Sequence, residues 1–224
     1  NNSVSFGSST TANADTSVAM GRSATTAAGA TNAVSVGVNT NANALDAVSV
    51  GRSTTAAAEA ATAMGSATTA NGSNSVAMGS SSIANGASST AIGRQATTAA
   101  TANNAVSVGF QTSANAADSI AVGRGANTAA AATYATAVGH TARANEQHAL
   151  AIGSSSTANG ASSTAIGRVA TASGRAATAL GTNVQATAAT SVAIGSNTTA
   201  DKENSVALGS NSTTVGQAAE QINS

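Results

Sequence analysis

Asn74-Ser75-Val76-Ala77-Met78-Gly79 is one instance of a six-residue phrase that returns, with small variations, fifteen times along the 224 residues. Its closing glycines are Gly7, Gly21, Gly37, Gly51, Gly65, Gly79, Gly93, Gly109, Gly123, Gly139, Gly153, Gly167, Gly181, Gly195 and Gly209. Successive glycines lie 14 residues apart in eleven intervals and 16 apart in the other three. A short fixed period over a whole chain marks a stacked-repeat architecture, in which each repeat contacts chiefly its neighbours.

Within the phrase, the residue before each glycine is always large and apolar, as in Phe6, Met78, Ile166 and Leu208. Two residues earlier a β-branched residue stands in every copy but that of Leu150. At two and four residues before the glycine only Ala or Ser occurs, as in Ser75 and Ala77 or Ser191 and Ala193. Alternation of large and tiny side chains at period two predicts a strand. Large side chains ordinarily fill cores, so the Val, Ile and Met positions are expected inside, leaving the Ala/Ser face outside.

A leaner segment follows each glycine, with Ala or Thr at the fifth position, such as Ala70, Ala84 and Ala158, and Ala or Gly two residues further on, such as Ala44, Gly86 and Gly160. It predicts a second strand whose small residues face the first across a thin core. The recurring glycine predicts a tight turn at positive φ with another coil stacked close over it. Helix is disfavoured, because the apolar period is two and Thr, Ser, Asn and Gly are dense throughout. The expectation is an all-β parallel solenoid of about fifteen two-strand coils of 14–16 residues over 1–216, followed by a C-terminal extension at 217–224.

The three long repeats, Gly21 to Gly37, Gly93 to Gly109 and Gly123 to Gly139, share an Arg after the glycine and a later Thr-Ala-Ala run. Two extra residues preserve strand parity, where one would reverse every later side chain. They are expected to enlarge a turn between strands, and binding loops are the alternative.

Composition excludes several classes. Cys and Pro are absent, charged residues are 7% and the formal net charge is zero, so a disulfide framework, a cysteine metal site and a strong nucleic-acid binder are not expected. No cofactor, metal site or enzymatic activity is expected, since no nucleophile elbow, phosphate loop or calcium-binding repeat occurs. Charges gather near turns: Arg22, Arg52, Arg94, Arg124 and Arg168 follow a motif glycine, while Asp15, Asp46, Glu59, Asp118 and Glu203 stand five or six residues ahead of one. A solvated rim is the plain reading. Arg22, Arg94 and Arg124, with Arg143 and His148 from the most polar turn, are the candidates for ligand contact.

The phrase, read with its following S-x-x-A-x-A, resembles the head repeat of trimeric autotransporter adhesins, the YadA-like family of Gram-negative surface proteins. Thr190-Ser191-Val192-Ala193-Ile194-Gly195 and Asn204-Ser205-Val206-Ala207-Leu208-Gly209 carry the resemblance as clearly as the first copy. It implies a left-handed parallel β-roll assembled as a parallel homotrimer and held away from the outer membrane on a stalk. It also implies attachment to collagen, fibronectin, laminin, host cells or abiotic surfaces. Membrane anchoring is expected only through parts of a longer protein, and the family's neck motif is not recognisable in 215–224.

The Ala/Ser face supplies a residue-level expectation for that trimer, because tiny side chains let another backbone approach closely. Ser75, Ala77, Ser191 and Ala193 are accordingly the candidate interface. Three functions follow in order: an adhesin head binding through multivalent shallow contacts, a spacer that projects another tip, and an ice- or crystal-binding solenoid. The last needs flat ranks of Thr.

Overall fold

The computed structural model describes residues 2–214, so the expected extension at 217–224 lies outside the described residues. Among them every regular element is a strand. The chain divides into two units, 1–118 and 119–224. Both are built from the same parallel coil.

In the first unit eight first strands, from Val4–Phe6 to Val106–Val108, alternate with eight short second strands, from Thr11–Ala12 to Ser113–Ala114. In the second unit seven first strands, Ile120–Val122 to Val206–Leu208, alternate with six second strands, Asn127–Thr128 to Thr199–Ala200. Within each unit the first strands of successive coils pair in parallel, and phrase matches phrase: Val76 lies beside Thr62, Ala77 beside Ala63, Met78 beside Met64 and Gly79 beside Gly65. Second strands stack likewise, Thr69 beside Ile83 and Ala70 beside Ala84. The repeat length thus sets the register, and a one-residue slip would place large residues beside small ones. Second strands are only two residues long, shorter than the sequence implied.

Two corners turn the coil. One residue near φ +55° follows two positions after the motif glycine, as Ser81 does, and another stands five positions before the next glycine, as Ser88 does. Asn, Asp and Ser suit this left-handed conformation better than most residues. Among the described residues eight Asn, seven Ser and two Asp stand at such corners. The motif glycine adds a tighter constraint: Gly167 has φ +127°, and a Cβ built on it would lie 1.9 Å from the carbonyl oxygen of Gly181 in the next coil.

The structure reverses the expected assignment of faces. Ser75, Ala77, Ser191 and Ala193 have no exposed surface and point into the roll. Val76 and Ile194 are only half-buried, and Met78 is exposed. The physical reason is the thinness of the coil. Two short strands enclose so little space that the fully buried side chains are nearly all Ala, Ser and Thr, with Val184 the largest. Bulky residues fit only on the outside, and Ala is the side chain that lets two parallel sheets close on each other. The candidate interface Ser75, Ala77, Ser191 and Ala193 is therefore corrected: these residues are core.

The two extra residues of each long repeat lie between the second strand and the next first strand. Residues 27–33 separate Thr25–Thr26 from Val34–Val38, whereas 57–61 suffice between Thr55–Ala56 and Thr62–Ser66. The flanking strands keep their register, Thr25 beside Asn41 and Val18 beside Val34.

Candidate interaction surfaces

Because the small residues are inside, each coil presents its larger ones to the surroundings on two faces. On the first-strand face, positions three and one before the glycine form two apolar files. In the first unit these include Val34 and Val36, Val48 and Val50, and Val76 and Met78. In the second unit they include Leu150 and Ile152, Thr164 and Ile166, and Val192 and Ile194. Met20 is 40% exposed, Ile92 38% and Leu180 43%. A largely apolar exposed face of this kind, interrupted at Thr62 and Thr90 in the first unit and at Thr136, Thr164 and Thr178 in the second, is a candidate interface. Sequence reasoning found these positions but placed them in the core; only the depth of the roll decides the question.

The second-strand face is polar. In the first unit its outward positions carry Thr11, Thr25, Asn41, Thr55, Thr69, Ile83, Thr97 and Ser113. The neighbouring row includes Asn71 and Asn85, and Asn71 Nδ2 donates to Asn85 Oδ1 at 2.7 Å. In the second unit Asn145 Nδ2 donates to Asn159 Oδ1 at 2.6 Å. Threonines thus do line up, but Ile83 and Asn41 interrupt the rank in the first unit and Arg143 and Gln185 in the second.

The candidate ligand contacts are all exposed, yet the structure does not gather them into one site. Arg22 ends the first strand Val18–Arg22, while Arg94 and Arg124 occupy the equivalent place after their glycines. The Arg94 guanidinium carbon stands 4.1 Å over the Phe110 ring of the next coil. Arg143 lies instead on the second-strand face. His148 sits at a corner with φ +56°, its ring stacked on Tyr134 at 5.1 Å and 8°. Among the described residues no group of three or more His, Asp or Glu converges as a metal site would require.

Stacked parallel coils with one largely apolar and one polar face define a repetitive β-solenoid with two extended outer faces. The family model for the YadA head domain repeat matches residues 1–24, 28–54, 56–82, 70–96, 100–126, 130–156, 144–170, 158–183 and 186–212. The chain belongs to the YadA head-repeat family. Comparison with curated proteins gives no match. Among solved structures, the crystal structure of the collagen-binding domain of Yersinia adhesin YadA is similar to it, with a TM-score of 0.51 and 26% identity over 64% of this chain and 69% of that one. Family and fold are those of an adhesin-type head.

Proposed function

We propose that the chain is the head of a bacterial surface adhesin. In this reading it works as a parallel homotrimer whose polar second-strand faces contact a collagen-type ligand. The observation that carries it is the division of the outer surface. The apolar files of the first strands need cover, and a threefold arrangement of identical coils supplies it by placing Val76, Met78, Ile92 and their equivalents at the shared axis. The Thr- and Asn-lined faces then point outward. Likeness to a collagen-binding domain supports collagen as the first ligand to test, with fibronectin, laminin, host cells and abiotic surfaces after it. No deep pocket is required, because many weak contacts on three copies raise apparent affinity through avidity. The cell-surface location follows from the same reading, with anchoring left to parts of a longer protein.

The test is binding of the purified chain to immobilised triple-helical collagen, heat-denatured collagen, fibronectin and laminin, with its mass measured by light scattering. Saturable binding to triple-helical collagen by a three-chain species is the expected result. A three-chain species that binds none of the four would leave a structural spacer as the better reading.

A further inference from the structure

The first unit carries seven charged side chains, and they are sorted by sign. Arg22, Arg52 and Arg94 each follow a motif glycine, at the C-terminal end of a first strand. Asp15, Asp46, Glu59 and Asp118 each stand five or six residues before the next motif glycine, at the corner that leads into a first strand. All seven are exposed. Arg22 and Arg52 continue the strands Val18–Arg22 and Val48–Arg52, two residues beyond Met20 and Val50. Both are exposed, at the end of the strand that carries the apolar files.

Opposite charges at the two ends of one strand cannot neutralise each other. Asp46 and Arg52 are six residues apart along nearly extended chain, on the order of 20 Å at ~3.3 Å per residue. Each is held by its own neighbours. Asp46 Oδ1 accepts from Asn32 Nδ2 at 3.0 Å. Arg52 Nη2 donates to Ser66 Oγ at 3.0 Å. A carboxylate has a second oxygen and a guanidinium has further N–H donors, and both side chains are exposed.

Threefold symmetry gives this sorting a use. Three first strands at one level, circulating about an axis in the same sense, form a triangle in which the C-terminal end of each strand meets the N-terminal end of the next. Cyclic symmetry has no axial shift, so the ends that meet come from the same coil. We propose that the seams of the trimer are closed by charge, with Arg52 of one copy paired to Asp46 of the neighbouring copy. The apolar files supply adhesion but look alike from coil to coil, so they tolerate a slip by one coil. A slip toward the preceding coil would set Arg52 against the neutral Thr31 and Asn32, while the following coil offers Glu59, so the charges oppose slipping in one direction. This inference rests on the trimeric reading above, and it assigns the seam residues and their role in register.

Because the chain contains no cysteine, the seam can be tested with introduced thiols. The 224-residue chain carrying both Asp46→Cys and Arg52→Cys is treated with a short bismaleimide too small to bridge the two sites within one chain. The expected product is a covalently closed three-chain species on a denaturing gel, with neither single substitution giving it. A second arm reverses charge: Arg52→Asp and Asp46→Arg should each weaken the trimer at least about threefold at low salt, and the two together should restore it, since exposed pairs are individually modest but are repeated at three seams. Light scattering of the unmodified chain separates the failures. A monomer there overturns the trimeric reading and the seam with it. A trimer without a three-chain product from the double substitution, or with cross-linking by either single substitution, overturns the seam alone.

Discussion

The buried Thr26 hydroxyl donates to Ser17 Oγ at 3.0 Å, spanning the roll within one coil, and accepts from the backbone N–H of Asn13 in the coil before at 3.1 Å. The pairing recurs at the other long repeats, Ser89 with Thr98 at 2.8 Å and Ser119 with Thr128 at 2.9 Å. At these three places Thr replaces the alanine that otherwise ends the second strand, and the seven-residue turn follows. Where Ser75 meets Ala84 instead, the serine hydroxyl has no protein partner, whereas Ser191, in the coil of Ala200, donates to the Ala188 carbonyl at 2.7 Å.

Thr98→Val should therefore destabilise the first unit by about 1–3 kcal/mol, because it keeps the side-chain volume and strands the Asn85 N–H that Thr98 Oγ1 accepts at 3.1 Å. Ser89→Ala should cost less, since Thr98 keeps its backbone donor. Urea unfolding of the two variants checks the order.

Glycine substitutions should split into two classes. Gly167→Ala drives a Cβ against the Gly181 carbonyl at 1.9 Å, so the coils must part. At Gly29, with φ +84°, nothing lies within 4 Å of a Cβ, and Gly29→Ala meets only the left-handed strain of about 1–2 kcal/mol. Hydrogen exchange should show protection lost around residues 153–181 for the first and little change for the second. Loss spread evenly over the whole unit would show that its coils unfold as one.

Ala77→Leu should damage the fold itself, since Ala77 is fully buried between strands and overpacking costs about 1–3 kcal/mol or more. Met78→Asp should leave the coil intact while weakening association, because Met78 faces out. Circular dichroism reports the first and light scattering the second. Ile166→Ala belongs with the second class, as Ile166 is only half-buried on the outer face.

Val169 is a β-branched residue at φ +57°, where its side chain is strained. Val169→Asn should raise stability by about 1 kcal/mol, since Asn is tolerated in this conformation and Val169 is exposed. The thermal midpoint measures it.

The 14- and 16-residue spacing, the alternation and the glycine column were enough to fix coil number, strand identity, parallel stacking and register, because each of these is a local or nearest-neighbour property. The turn that takes up the two extra residues was also expected from the sequence, since two added residues leave the parity of every later strand unchanged. Which face turns inward was not. Alternation marks two faces as different without saying which is buried, and the usual preference for large residues inside fails when the enclosed space admits only Ala, Ser and Thr. That choice depends on how closely the two sheets approach, a distance no single strand encodes. Ser75 and Ala77 thereby became core and Val76 and Met78 surface. The same reversal moved the candidate interface from the small residues to the large ones and left Asp46 and Arg52 exposed at opposite ends of one strand, a juxtaposition visible only once the strand between them had a direction and an exposed side.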